Sequence, residues 1–197
     1  VPGYSALILR RTYGDLSLPN AIMDRAHKWL ASSGARWAEQ LKTWTFPSGA
    51  TLTFGYLEKA LTHFRYQGSE YQFIGFDELT QFKENQYTYL LSRLRRLKDF
   101  PVPIRCRTAS NPGGIGHAWV LNRFNIVSGT NPKRPYIPAK LDENPHLDRE
   151  EYHSMLSELD PVTRLQLEEG LWVFYTQMTA YERSYWHAGR NRYDIND

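Results

Sequence analysis

Two short runs, YSALILR at 4–10 and QFIGF at 72–76, are apolar at nearly every position. A strand that is half in water alternates apolar and polar residues, whereas one covered on both faces does not, so these runs predict doubly buried strands. Such strands need helices on both faces of a mainly parallel sheet. The intervening elements supply them. After Pro19, apolar Ala21, Ile22, Ala26, Trp29 and Leu30 recur at helical spacing and stop near Gly34. Residues 44–46 and 51–56 flank a Pro47-Ser48-Gly49 turn and predict a hairpin. Residues 84–97 place Tyr87, Leu90, Leu91, Leu94 and Leu97 on one helical stripe, with Arg93, Arg95, Arg96 and Lys98 around the other side and end. Pro101 and Pro103 then precede a further short strand at 104–110, and a short helix is predicted from near Gly116. This alternation is the order that right-handed crossovers assemble into an α/β fold.

From Ser128 onward the texture is more polar and turn-rich. Two short helices are predicted at 148–159 and 162–169, separated by Asp160-Pro161 and stopped at Gly170-Leu171-Trp172. We therefore divide the chain into a core at 1–127, a connecting segment at 128–174 and an unassigned aromatic tail at 175–197. With 41% hydrophobic and 23% charged residues the composition is that of a folded protein. The balance of 24 Lys+Arg against 21 Asp+Glu, a net +3, neither indicates nor excludes nucleic acid as a partner. Cys106 is the single cysteine, which rules out an intramolecular disulfide, and His117, His146 and His153 are spaced too irregularly to suggest zinc. No apolar run approaches the roughly 18 residues of a membrane-spanning helix.

Chemistry concentrates at two strand ends. In Phe73-Ile74-Gly75-Phe76-Asp77-Glu78 an apolar strand delivers two acids at its C-terminal tip. ATP hydrolysis needs one carboxylate near Mg²⁺ and another group to activate the attacking water, and a sheet edge can hold both rigidly. Asp77 would serve the magnesium through its coordinated water and Glu78 the nucleophile, as in a Walker B motif; alternatively the acids only mark a turn. In Arg107-Thr108-Ala109-Ser110-Asn111-Pro112-Gly113 a strand ends in hydroxyl and amide groups able to sense a γ-phosphate. The plain alternative is a strand-to-loop transition. Arg10, at the end of the first strand, could touch nucleotide or DNA, or be a solvated strand end. The RLRRLK segment at 93–98 could meet phosphates, or simply complement a helix dipole.

The succession ILRRTYGDL (8–16), RYQGSEYQFIGFDEL (65–79), RTASNPGG (107–114), GHAWV (116–120) and PAKLDENPHLDREEY (138–152) resembles the ATPase half of tailed-bacteriophage terminase large subunits, over roughly residues 4–172. The resemblance implies an α/β, P-loop NTPase-like (ASCE/RecA-like) fold, a mainly parallel sheet flanked by helices, N-terminally truncated. It implies ATP and Mg²⁺ as cofactors, Asp77 and Glu78 as Walker B acids, and Thr108-Ala109-Ser110 as the coupling motif, with Ser110, Asn111 and Arg10 also at the nucleotide. Arg65 lies where related motors place an arginine that reaches a neighbouring subunit's ATP. Some relatives have that arginine directly before the glycine, where this chain has Gln67, and otherwise Arg65 is a surface charge. Implied partners are double-stranded DNA, a portal protein, a small terminase subunit and further large-subunit copies in a ring, without a membrane, in the cytoplasm of an infected or lysogenic bacterium.

The departure from the family pattern is that no Gly-x-x-x-x-Gly-Lys-Ser/Thr loop occurs in these residues. That loop supplies the donors holding the β- and γ-phosphates. The chain also starts at Val1, as an excised fragment or a degraded prophage copy would. Hydrolysis by these residues alone is therefore not expected. A non-catalytic remnant or interaction module of prophage origin, or another P-loop ATPase of helicase type, stays open beside the motor reading. The connecting segment would bridge to a metal-dependent nuclease domain, but beyond Trp172 the acids are only Glu182, Asp194 and Asp197, so nuclease activity is not expected here.

Overall fold

The computed structural model describes residues 1–172 except Leu97, Asp99 and Thr130. The tail at 175–197, with Glu182, Asp194 and Asp197, lies outside the described residues, as does Leu97 of the helical stripe. The chain divides into two compact units, Val1–Ser110 and Asn111–Asp197.

In the first unit the strands are β1 (Ser5–Arg10), β2 (Arg36–Ala38), β3 (Thr43–Thr45), β4 (Thr51–Tyr56), β5 (Phe73–Asp77) and β6 (Arg105–Ala109). They form one sheet in the order β2-β3-β4-β1-β5-β6. β1 lies parallel between β4 and β5, and β6 runs parallel to β5 on its other side. β3 and β2 extend the β4 side antiparallel, so the sheet is mixed, with its parallel part in β4, β1, β5 and β6. The two apolar runs are thus the two strands with parallel neighbours on both sides. Among the described residues β6 closes the sheet and is not a central strand, and its exposed Arg105, Arg107 and Ala109 alternate with half-buried Cys106 and Thr108.

The two faces of the sheet carry separate apolar layers because side chains alternate along each strand. On one face Phe54 packs with Trp44 and with Leu16, Met23 and Ala26 from helices α1 (Tyr13–Ser17) and α2 (Ile22–Leu30), with Ile8 against them. On the other, Leu7, Leu9, Ile74 and Phe76 are buried, and the Phe76 ring lies 5.3 Å from Phe82 and 5.1 Å from Tyr87. Burying each such side chain contributes roughly 1.5–3 kcal/mol. Helix α1 was not evident from the apolar pattern. It starts at a capping box: the Asp15 amide donates to Thr12 Oγ1 and the Thr12 amide to the Asp15 carboxylate, both at 3.1 Å.

The helix predicted over 84–97 ends early, as α3 (Glu84–Leu91). Past its cap at Ser92 the chain pairs with Tyr71: the Tyr71 amide donates to the Arg93 carbonyl and the Arg95 amide to the Tyr71 carbonyl, both at 3.0 Å. Leu94 therefore sits in a parallel bridge with Tyr71, and strand-like pairing overrides the helical stripe. The basic segment beginning at Arg93 is consequently not a helix face. Arg95 reaches Glu70 at 3.4 Å and Arg96 donates to the carbonyls of Phe100 and Val102, so these two guanidinia are engaged within the unit.

The second unit contains α4 (His117–Phe124), α5 (Arg149–Leu156) and α6 (Pro161–Glu168), close to the predicted helices. α6 opens with Pro161 in its first turn, and Asp160 accepts from the amides of Val162 and Thr163 at 3.0 and 3.1 Å. His153 on α5 contacts Glu168 on α6 at 2.8 Å through Nδ1 and Asp142 at 3.0 Å through Nε2. His117 accepts from the Gly113 amide on Nδ1 at 2.8 Å and faces the Trp172 carbonyl with Nε2 at 2.9 Å, which places its ring proton on Nε2. Both histidines have hydrogen-bond partners on both ring nitrogens.

Candidate active site

The C-terminal tips of the parallel strands converge. Leu9 is in register with Phe76, Arg10 with Tyr56, and Asp77 with Ala109. Pleat parity then puts Tyr56, Arg10 and Asp77 side by side on one face, in that order across β4, β1 and β5. Arg10 Nε approaches Asp77 Oδ2 to 2.8 Å, each side chain being partly exposed. The contact is an ion pair without an in-line hydrogen bond, because Arg10 Nε itself is buried and has no properly aligned acceptor. Gly75 lies behind this row, where a β-carbon would come within 2.7 Å of Ile8 Cδ1 and 3.1 Å of the Phe73 ring and would have to displace the Ile8 side-chain tip.

The strand stops at Asp77 because Glu78 takes a left-handed conformation, φ 57° and ψ 59°. That geometry costs a side-chain-bearing residue roughly 1–2 kcal/mol. The next residues hold it in place: Leu79 and Phe82 are buried at 1% and 0% exposure, and their burial, at roughly 1.5–3 kcal/mol each, outweighs the strain. A single 3₁₀ turn, Leu79–Gln81, carries the chain from the strand tip into α3. Gln86 on α3 is fully buried and donates to the carbonyls of Leu57 and Lys59 at 3.1 and 3.0 Å, fixing the loop after β4. Arg11 also donates to the Leu57 carbonyl.

The remaining candidates fall in distinct places. Arg65 is exposed, in a 3₁₀ turn (Thr62–Tyr66), with its guanidinium 4.9 Å above the Tyr56 ring, so it neighbours the Arg10–Asp77 face through Tyr56. The turn is anchored by Tyr66, whose phenol lies over Gly55 where a β-carbon would overlap it; burial pushes this phenol far above the usual tyrosine range. Thr108 is in register with Phe76 and so lies on the sheet face opposite Asp77. The Thr80 amide donates to Ser110 Oγ at 3.0 Å, and the two hydroxyl oxygens are 2.9 Å apart. Asn111 opens the second unit and is exposed. Thr80 and Gln86 escaped sequence reasoning. A lone threonine after two acids carries no signal, and a glutamine on a helical stripe reads as a polar neighbour.

Among the described residues no group of three or more His, Cys, Asp and Glu side chains is disposed to hold a metal. Magnesium retains waters and takes one or two carboxylates together with substrate phosphates, so a single aspartate at a strand tip fits it in the presence of nucleotide. Asp77 would serve that ion through its bound water, and the ion would neutralise charge developing on the phosphates. The Arg10 guanidinium beside Asp77 already neutralises it in part.

Residues 3–99 match the family described as "Terminase large subunit, T4likevirus-type, N-terminal". No curated protein sequence matches the chain. Solved structures of the large terminase from a thermophilic bacteriophage share the fold. One matches with a TM-score of 0.67 at 18% identity, covering 92% of this chain and 45% of that one. The same terminase in complex with ATP-gamma-S matches at 0.65 and 17%, covering 88% and 41%, and in complex with ADP at 0.66 and 18%, covering 92% and 45%. The chain thus spans less than half the length of these solved chains. No described helix is long and apolar enough to cross a membrane. Residues 3–99 thus carry the pattern of the terminase large-subunit family, and most of the chain shares the fold of the solved large terminase.

Proposed function

We propose that this chain is the ATPase portion of a phage terminase large subunit that drives packaging of double-stranded DNA into procapsids. The observation that carries the reading is the register of β5 with β6, which brings Asp77 beside Ala109 at the tips of adjacent parallel strands. In the proposal Asp77 serves magnesium through its bound water and Glu78 activates the attacking water. Arg65 supplies positive charge toward the transferring phosphate, Arg10 lies at the nucleotide, and the 108–110 strand end senses release of the phosphate, with Asn111 just beyond it. These residues contain no phosphate-binding loop, so turnover is assigned to the protein of which they form the ATPase portion and is expected to be lost in the chain alone. Residues 128–174 would bridge toward a nuclease domain. DNA, portal, small subunit and neighbouring copies in a ring are the proposed partners, in the cytoplasm of the bacterial host.

The support beyond the strand tips is that the structurally similar terminase of the thermophilic bacteriophage has been solved with ATP-gamma-S and with ADP. The test is Mg-ATP turnover by the full-length protein with linear duplex DNA. Glu78→Gln should abolish turnover while ATP stays bound. Full turnover in that variant sinks the role of Glu78. Equal, weak binding of a fluorescent ATP analogue by the full-length protein and by this chain would favour the non-catalytic module instead.

A further inference from the structure

We propose that Thr80 is a positioning residue for Glu78, and that it does this by locking the turn after β5 onto Ser110 at the end of β6. The inference rests on the reading of Glu78 as the water-activating group. Glu78 occupies a backbone region that side-chain-bearing residues avoid, and such a conformation persists only where its surroundings overdetermine it. Buried Leu79 and Phe82 hold the turn by packing, which resists outward displacement but does not fix position along the sheet edge. A directional restraint is supplied by Thr80, 3% exposed, whose amide donates to Ser110 Oγ at 3.0 Å. Its hydroxyl lies 2.9 Å from the same oxygen.

These bonds close a ring. Asp77 and Ala109 are register partners across the β5–β6 ladder, and one residue past Ala109 the Ser110 hydroxyl reaches forward to Thr80. Glu78 is therefore enclosed between a ladder behind it and a hydroxyl lock ahead of it. A shift of the β6 tip is carried to the Glu78 backbone through this ring instead of through a nucleotide. Ser110 in this arrangement serves the turn with its hydroxyl, which differs from a direct phosphate sensor.

The experiment uses the full-length protein with Thr80→Val, Thr80→Ser, Ser110→Ala and Ser110→Thr. Thr80→Val keeps the amide and the side-chain volume and removes the hydroxyl; Ser110→Ala removes the oxygen common to both contacts. Displacing a catalytic group by about 1 Å costs about 100-fold. Ser110→Ala is expected to lower kcat by about that factor and Thr80→Val by about 10-fold, with KM for ATP within about two-fold and with recovery in Thr80→Ser and Ser110→Thr. Unchanged kcat in both Thr80→Val and Ser110→Ala overturns the proposal. A rise in KM matching the fall in kcat also overturns it, because Ser110 would then be contacting nucleotide directly. Hydrogen exchange at the amides of 78–81 is measured in parallel. Protection at Thr80 should fall in Ser110→Ala, and retained protection again overturns the lock. If the wild-type protein hydrolyses no ATP, the proposed function fails, and the exchange data still decide whether Thr80 and Ser110 hold the turn.

Discussion

Arg10 Nε and Asp77 Oδ2 lie 2.8 Å apart at the tips of adjacent parallel strands, so the carboxylate proposed to serve magnesium is paired with a guanidinium from its own sheet. A partly exposed pair of this kind contributes roughly 0.2–1 kcal/mol. Its importance lies in competition, not in stability. Magnesium and Arg10 are alternative counter-charges for one carboxylate. Arg10→Met in the full-length protein should lower the melting temperature by at most a few degrees and should reduce the magnesium concentration needed for half-maximal ATP turnover. An unchanged magnesium dependence would mean that the pair persists through the reaction.

Gly75 faces Ile8 across the β1–β5 ladder with no room for a β-carbon. Gly75→Ala should destabilise the first unit by about 1–3 kcal/mol through overpacking. Because the nearest atom is Ile8 Cδ1, the double variant with Ile8→Val should recover part of the loss. Urea unfolding midpoints of the two variants provide the comparison, and equal midpoints would place the strain elsewhere.

Arg65 stacks on Tyr56 and is exposed. An arginine finger raises kcat by about 10³–10⁵. If Arg65 acts on the nucleotide of a neighbouring copy, Arg65→Ala and Glu78→Gln proteins should each be inactive, and mixing them should restore turnover. Each supplies the group that the other lacks. Absence of recovery in the mixture, with both proteins folded, removes the trans role.

In the second unit His153 sits between two carboxylates, and its pKa is raised above the ordinary histidine value, first by its hydrogen bond to Asp142 and then by that to Glu168. Glu168 moves the other way. Burial opposes its ionisation, but hydrogen bonds from His153 and Arg164 prevail and hold its carboxyl below the usual range. A raised histidine stabilises fully below its unfolded pKa, and that contribution is lost as pH rises through the folded one. A depressed glutamate stabilises above its unfolded pKa and loses this as pH falls through the folded value. The α5–α6 contact should therefore be firmest in the mildly acidic range and loosen on both sides of it. Proton NMR of the His153 ring should show a titration midpoint above about 6.5. Glu168→Gln should bring that midpoint down, and an unmoved midpoint would rule out the coupling.

β1 and β5 were legible because residues 4–10 and 72–76 have no polar side for water, and the place of Asp77 and Glu78 followed from where the second run stops. The β5–β6 pairing was readable from element order alone. Helix α3 was overextended because Leu94 continues the helical stripe, while its actual partner, Tyr71, lies far back in the chain. β2 was missed because its three residues show no strand alternation of their own and gain their order from pairing with β3, where Trp37 meets Trp44. The site divides the same way. Asp77 and Arg10 come together by strand parity, which periodicity supplies, whereas the Thr80–Ser110 contact joins two turns whose conformations no spacing rule specifies.

The left-handed backbone at Glu78 gives sequence variation at this position a definite meaning. Glycine adopts that conformation without penalty, and asparagine nearly so, which makes either the restful occupant of the site. A lineage that no longer used the acid would drift downhill toward them and gain stability in doing so. A glutamate there forgoes that gain, so Glu78→Asn should raise the melting temperature while it removes the carboxylate.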